Sequence, residues 1–274
     1  MPNNISSNNS NQNHQHNNHR RDKRKRKHQQ SPTEKLSKAL SWALRHHGPK
    51  IGLSMKADGY VPVSQILSSE HPRLKGGWTI EDIKNIVETS DKQRFHLDRR
   101  PTTNYPELFT EDHDGDAYGK TILCIRASQG HSLDFIDPEL LLTPIPKEEL
   151  AIVPIIVHGT YKEPWETSIC RCGLNRMTRN HIHFAPGFPH EKDGVISGMR
   201  KSCTVYIYVD ASKCANHPDI AFYRSANGVL LTAGLNESGT LPVEFFSHVT
   251  DSTGKILLDQ RAKETNGSGD ADAK

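Results

Sequence analysis

The chain has 274 residues, a formal net charge of +3 and only 34% hydrophobic side chains. Residues 1–30 carry seven Lys/Arg against the single acid Asp22, leaving 28 basic and 31 acidic side chains in the rest. That slightly acidic body excludes a uniformly basic nucleic-acid coat, so a polyanion would have to be met by a local patch.

No apolar run is long enough for a transmembrane helix; Ala151–Val157 is the longest and Pro154 breaks it. An apolar secretory leader is absent from the opening residues, and an odd cysteine count of five makes no disulfide framework. The expectation is a soluble intracellular protein, nuclear or cytoplasmic, monomeric and without a membrane partner. Residues 1–30 hold eight asparagines and only Met1 and Ile5 as aliphatic residues, the composition of a disordered tail. Its basic run Arg20–Lys27 reads equally as a nuclear-localisation or RNA-binding arm and as a solubilising tail.

Order is expected from Ser31. Ser31-Pro32-Thr33-Glu34 offers an N-cap, a proline for the first helical position and a glutamate for a capping box. Leu36, Ala39, Leu40, Ala43 and Leu44 then form a helical stripe that Gly48-Pro49 stops. Arg45, His46 and His47 fall at its C-terminal end, where cations complement the helix dipole. A second apolar segment follows at Val61–Leu67, and a third helix starts near Thr79. Lys92–Leu97 and Thr121–Ala127 read as strands of a hairpin with a long polar insertion, Asp98–Lys120. Three helices and a hairpin are the layout of a winged-helix module, over residues 31–133.

Residues 134–149 read as a Pro-punctuated linker. Beyond it, Ile152–Val157, Ile182–Phe184, Thr204–Val209, Gly228–Leu231, Phe245–Phe246 and Lys255–Leu258 are strand-like runs, with a short helix at Trp165–Cys172. The second domain, 150–260, is therefore expected to be mainly antiparallel β, and the whole chain α+β. Residues 261–274 read as a second loose tail.

Cys170-x-Cys172 and His181-x-His183 are the best metal candidates, but their spacings are not those of zinc sites, and packed free cysteines are the better reading. Fingerprints for P-loop or Rossmann nucleotide binding are absent, as are HExxH and GxSxG. What remains is arginines in apolar surroundings: Arg94 before Phe95, Arg126 after Ile122–Ile125, and Arg179 before the His181–His183 run. Singly each reads as a structural ion pair. Several from both halves of the chain point to a phosphate site, because guanidinium forks clamp phosphate oxygens.

Leu36–His46, Asp58-Gly59-Tyr60-Val61-Pro62-Val63, Lys92–Phe95, Ile125–Ser132, His158-Gly159-Thr160, Arg179–His183 and Phe222–Leu230 come in the order found in the RNA 2′-phosphotransferases, which this chain resembles from about Leu36 to Phe246. The resemblance implies an N-terminal winged-helix lobe for RNA and a C-terminal lobe of ADP-ribosyltransferase fold for NAD⁺. It further implies a reaction: the splice-junction 2′-phosphate of ligated tRNA is transferred to NAD⁺, leaving 2′-OH tRNA, nicotinamide and ADP-ribose 1″,2″-cyclic phosphate, with no metal.

Carried over residue by residue, the resemblance makes Arg45, His46, Arg94 and Arg179 the catalytic set. The first three would hold the RNA 2′-phosphate, with Arg126, Gln129 and His131 beside them. His158, Gly159, Thr160, Gly173 and His183 would bind NAD⁺, His158 at the adenosine-side ribose and Gly159 where backbone approaches nicotinamide. Ser128 departs from the family's usual asparagine, and Phe184-Ala185 from its Leu-Ser. Glu244 falls near the glutamate of other ADP-ribosyltransferases and is given no role. The alternatives are NAD-dependent capping of terminal RNA or DNA phosphates, and a catalytically silent RNA-binding protein.

Overall fold

The computed structural model describes residues 30–109, 120–187, 198–200 and 202–261. The readings of both tails, and of part of the hairpin insertion, lie outside them.

Helix α1, Pro32–Trp42, begins where Ser31 Oγ accepts the Glu34 amide at 3.1 Å, as its sequence dictates. The full reciprocal box forms instead at helix α3, Ile80–Thr89, between Thr79 and Asp82. Between them lie strand β1, Val61–Pro62, and helix α2, Val63–Leu67. Leu36, Leu40 and Leu44 of the first helical segment bury against Ile66, Ile83, Phe95 and Ile125. This core welds the helices to a three-stranded sheet of order β1-β3-β2, with β2 at Phe95–Pro101 and β3 at Thr121–Ala127.

The hairpin differs from its expected bounds. Lys92–Arg94 form a turn with Gln93 at a φ of 40°, while Asp98–Pro101, expected in the insertion, pair with Cys124–Thr121. The alternation of Arg and Asp hid this stretch, because its polar side chains sit on a half-exposed strand.

The expected linker is structured as well. After helix α4, Pro138–Leu141, strand β4, Thr143–Ile145, joins the sheet β4-β9-β10-β7 of the second lobe, pairing with β9, Phe222–Arg224. Helix α5, Lys147–Ala151, follows. The run Ile152–Val157 is not a strand: Ile152 stands 79% exposed, Pro154 interrupts pairing, and β5 starts at Val157 and ends at Thr160.

A second sheet, β13-β12-β8-β5, is formed by β5 with β8, Val205–Val209, β12, Phe246–Asp251, and β13, Ile256–Asp259. In β8 Val205, Ile207 and Val209 alternate inward, the period-two pattern of a half-buried strand. They join Phe184, Phe222, Leu230 and Phe246 in the larger core. The two sheets meet where Val157 bridges Ala185, just past β7, Ile182–Phe184. Strand β10 is Leu230–Thr232. A smaller cluster of Ile136, Leu141, Leu142, Val229 and Leu231, with Met55 packed against it, ties the lobes together. The architecture is α+β with antiparallel sheets, and no described helix is long and apolar enough to cross a membrane.

Candidate active site

The first helix does not end as a simple α-helix. Ala43–His47 widen into a π-turn, closed by the Gly48 amide donating to the Ala43 carbonyl at 2.7 Å before Pro49. Such turns re-aim side chains, and this one carries Arg45, His46 and His47. Loop 128–133, which follows β3, then packs against it. The Ser132 amide donates to the Arg45 carbonyl at 3.0 Å, and Ser132 Oγ lies 2.8 Å from His46 Nδ1. Gly130, at a φ of 91°, lies flat against the Arg45 side chain; a Cβ there would sit 3.5 Å from the guanidinium. The positive φ is what calls for glycine here, since a Cβ would meet Arg45 at ordinary contact distance.

The same loop reaches the second lobe. The Asn180 amide donates to the His131 carbonyl at 2.9 Å and its side chain to the Leu133 carbonyl at 3.1 Å. Asn227 Nδ2 donates to the Lys92 carbonyl at 2.8 Å. These bonds set Arg179, next to Asn180, near Arg45.

Arg94 and Arg179 both lie close enough to Arg45 to act on its charge, and among the described residues no carboxylate pairs with any of the three. Burial, and then the charges of Arg179 and Arg94, push the Arg45 guanidinium down to about 10. Arg179 is itself lowered by burial and by Arg200. Arg45 Nε is buried with no partner among the described residues. Three charged forks of one sign, partly dry, repel one another and leave a place where an anion is strongly stabilised.

Four neutral imidazoles surround the cluster. His46 is lowered by burial, Arg45 and Arg179, so near neutral pH it is a base with Nδ1 held at Ser132. His131, buried among Arg45, His46 and Arg126, is pushed down to about 3. His183 is lowered well below the ordinary value by burial and Arg179, and its Nε2 is buried and unpartnered. His158 Nδ1 donates to the His183 carbonyl at 2.8 Å, while burial holds the ring neutral. That bond fixes the tautomer and leaves His158 Nε2 as an acceptor.

A cleft of about 660 Å³ opens in the second lobe beside the cluster. Its walls include His158, Thr160, Gly173, Arg179, His183 and Arg200. Arg200 is the site residue that sequence reasoning missed, since it lies outside every motif quoted above.

Gly159, Arg126, Gln129 and His131 do not line this cleft, whereas Gly173 does. Gly159 has Met199 and Cys203 packed where a Cβ would stand, the Cys203 Sγ 2.8 Å from it, so the position leaves no room for a side chain. Gly173, at a φ of 85°, lies against the Leu241-Pro242 backbone, 2.9 Å from Pro242 Cα for an added Cβ. Arg126 donates to the Asp58 and Leu140 carbonyls and covers the Tyr60 ring, which commits it to holding loops. Gln129 and His131 are buried at the lobe junction. Glu244 is exposed and does not line the cleft. All five cysteines are free, and the described residues hold no group of three His, Cys, Asp or Glu arranged for a metal.

Residues 31–234 match the family described as RNA 2′-phosphotransferase, Tpt1/KptA. The chain is similar to the Homo sapiens tRNA 2′-phosphotransferase 1, 41% identical over 217 residues, covering 79% of this chain and 76% of that protein. It is also similar to the Saccharomyces cerevisiae tRNA 2′-phosphotransferase, 36% identical over 217 residues, covering 78% of this chain and 82% of that protein. A Schizosaccharomyces pombe relative is 39% identical over 253 residues, 89% of this chain, and the chain spans 61% of that relative's length. A match of this extent, running through the arginine cluster and both lobes, places the chain in the RNA 2′-phosphotransferase, Tpt1/KptA family.

Proposed function

We propose that the protein removes the splice-junction 2′-phosphate from ligated tRNA by transferring it to NAD⁺, giving 2′-OH tRNA, nicotinamide and ADP-ribose 1″,2″-cyclic phosphate. In this reading the first lobe is a winged-helix RNA module and the second has the ADP-ribosyltransferase fold. The observation that carries it is the uncompensated cluster of Arg45, Arg94 and Arg179 beside the cleft of His158 and His183.

The residues present fit a dinucleotide. A cleft of this volume is in the range of small-molecule sites, and the fixed acceptor His158 Nε2 suits a ribose hydroxyl. Arg200, in the wall of the same cleft, supplies a cation for the pyrophosphate in this reading. When bound, NAD⁺ supplies the electrophilic ribose carbon and the leaving nicotinamide.

The chain's own work is positional and electrostatic. Arg45 and Arg94 hold the 2′-phosphate from the RNA side and Arg179 from the NAD⁺ side, so that nucleophile and electrophile are fixed without water between them. As charge redistributes over the phosphate oxygens while the RNA 2′-oxygen departs, fixed guanidinium groups stabilise it without reorganisation. His46, neutral and within reach of Ser132, accepts the proton of a ribose hydroxyl or returns one to the departing RNA 2′-oxygen.

The test is to incubate the protein with NAD⁺ and a short RNA bearing one labelled internal 2′-phosphate, without added metal. Transfer of the label to ADP-ribose 1″,2″-cyclic phosphate supports the reading. Label retained on RNA as an adduct, or unchanged RNA despite tight binding, sinks it.

A further inference from the structure

A second cleft, about 680 Å³, opens at His46, and apart from His46 and its partner Ser132 it is lined by residues the mechanism above does not use. One wall comes from His46, His47 and Lys50, and the other from the segment Ser132–Phe135. The two clefts share Thr178, so they adjoin at the phosphate cluster.

The walls differ in chemistry. His47 is pre-set: its ring stacks on Trp42 at 4.4 Å between centroids, and its Nδ1 donates to the Trp42 carbonyl at 3.3 Å. With Lys50 it makes a polar, cationic side suited to a sugar-phosphate backbone. In the lining contributed by the loop, Phe135 stands 45% exposed next to Asp134 and near Leu133. A half-exposed aromatic face next to an anion site is a stacking platform without its guest, and every nucleobase offers a matching π-face. Asp134 repels phosphate from that wall and accepts hydrogen bonds from a base amine.

We propose that this second cleft is a nucleobase subsite, in which the base of a nucleotide flanking the 2′-phosphate stacks on Phe135 while its backbone passes Lys50. The proposal rests on the reading of the arginine cluster as the 2′-phosphate site. It makes the protein a reader of RNA presented as a single strand at the junction, because a base held in a helix could not reach the ring.

The experiment measures binding of a short 2′-phosphorylated RNA by fluorescence anisotropy at fixed salt, with abasic versions lacking either neighbouring base. Removing one neighbour's base is expected to weaken wild-type binding about ten-fold, within the range of base-aromatic stacking. Phe135→Ala should weaken the intact RNA by a similar factor and leave the abasic RNA unaffected, while Phe135→Tyr retains binding and shows the fold intact. The proposal is overturned if Phe135→Ala binds every RNA as the wild type does, or if the two losses multiply. The same RNA with a 2′-OH separates the readings: equal binding with and without the phosphate removes the clamp, whereas the Phe135–base coupling alone decides the subsite.

Discussion

Ser128 Oγ donates to the Gln93 carbonyl at 3.0 Å, and the Ser128 amide donates to the Arg94 carbonyl at 2.9 Å. One residue therefore holds the turn in which Gln93 takes a φ of 40° and from which Arg94 enters the site. Left-handed backbone at a non-glycine residue costs about 1–3 kcal/mol and persists only where neighbours enforce it.

Ser128→Ala should lower stability by about 1–2 kcal/mol, through the orphaned Gln93 carbonyl, and should raise KM for 2′-phosphorylated RNA without changing KM for NAD⁺. Urea unfolding and steady-state kinetics check this. An unshifted midpoint with an unchanged RNA KM would show that the turn holds itself.

The arginine cluster trades stability for an anion site. Arg45→Met, which keeps much of the volume and drops the charge, is expected to cut kcat by about 10²–10³-fold, as loss of an oxyanion donor does. Its folding stability should stay level or rise by about 1 kcal/mol, because a repulsive buried charge is gone. Inorganic phosphate should raise the wild-type Tm more than that of the variant. A variant destabilised by several kcal/mol would mean that Arg45 has a structural partner.

Burial pushes His131 down to about 3, helped by Arg45, and His181 down to about 4, helped by Arg176. In the unfolded chain both return to the ordinary value near 6.5 and take up protons that the folded state refuses. Stability is thus fully present above about pH 6.5 and is lost as pH falls towards those lower values, by up to about 1.4 kcal/mol per pH unit for each ring. Urea unfolding at about pH 7.5, 6 and 5 measures the slope. Equal stability at all three would contradict the burial of both rings.

Gly159→Ala sets a methyl group against Met199 and Cys203. We expect a loss of about 1–3 kcal/mol from overpacking, partly restored by Met199→Ala in the same chain. Thermal unfolding of the single and double variants checks it; no recovery in the double would place the clash with Cys203.

Much of the fold was legible because its signals are local. Ser31 and the leucine stripe announce α1, and the alternation Val205-Ile207-Val209 announces β8. Misreadings came where tertiary pairing overrides local pattern. Ile152–Val157 is apolar enough for a strand but Ile152–Ile155 have no strand alongside them, whereas polar Asp98–Pro101 has β3. Of the site, Arg94 and Arg179 were marked by their apolar contexts, and Arg45 by the resemblance alone, since at a helix C-terminus a cation reads as a complement to the dipole. Arg200 carried no such signal, since its place in the cleft depends on a segment folding back over β5.

Strand β4 sits in the stretch whose composition suggests a connector, yet it supplies the edge of the second lobe's sheet beside β9. The chain therefore cannot be divided into two working halves at residues 134–149. A cut after 149 would strip Thr143–Ile145 from the sheet and bare the amide and carbonyl row of Phe222–Arg224, a ready template for a second copy. A cut before Pro138 keeps that edge covered, but leaves Leu141 and Leu142 without Met55 above them. Any exchange of the first lobe is thereby constrained: the segment that precedes the second lobe has to bring with it the strand that seals the sheet.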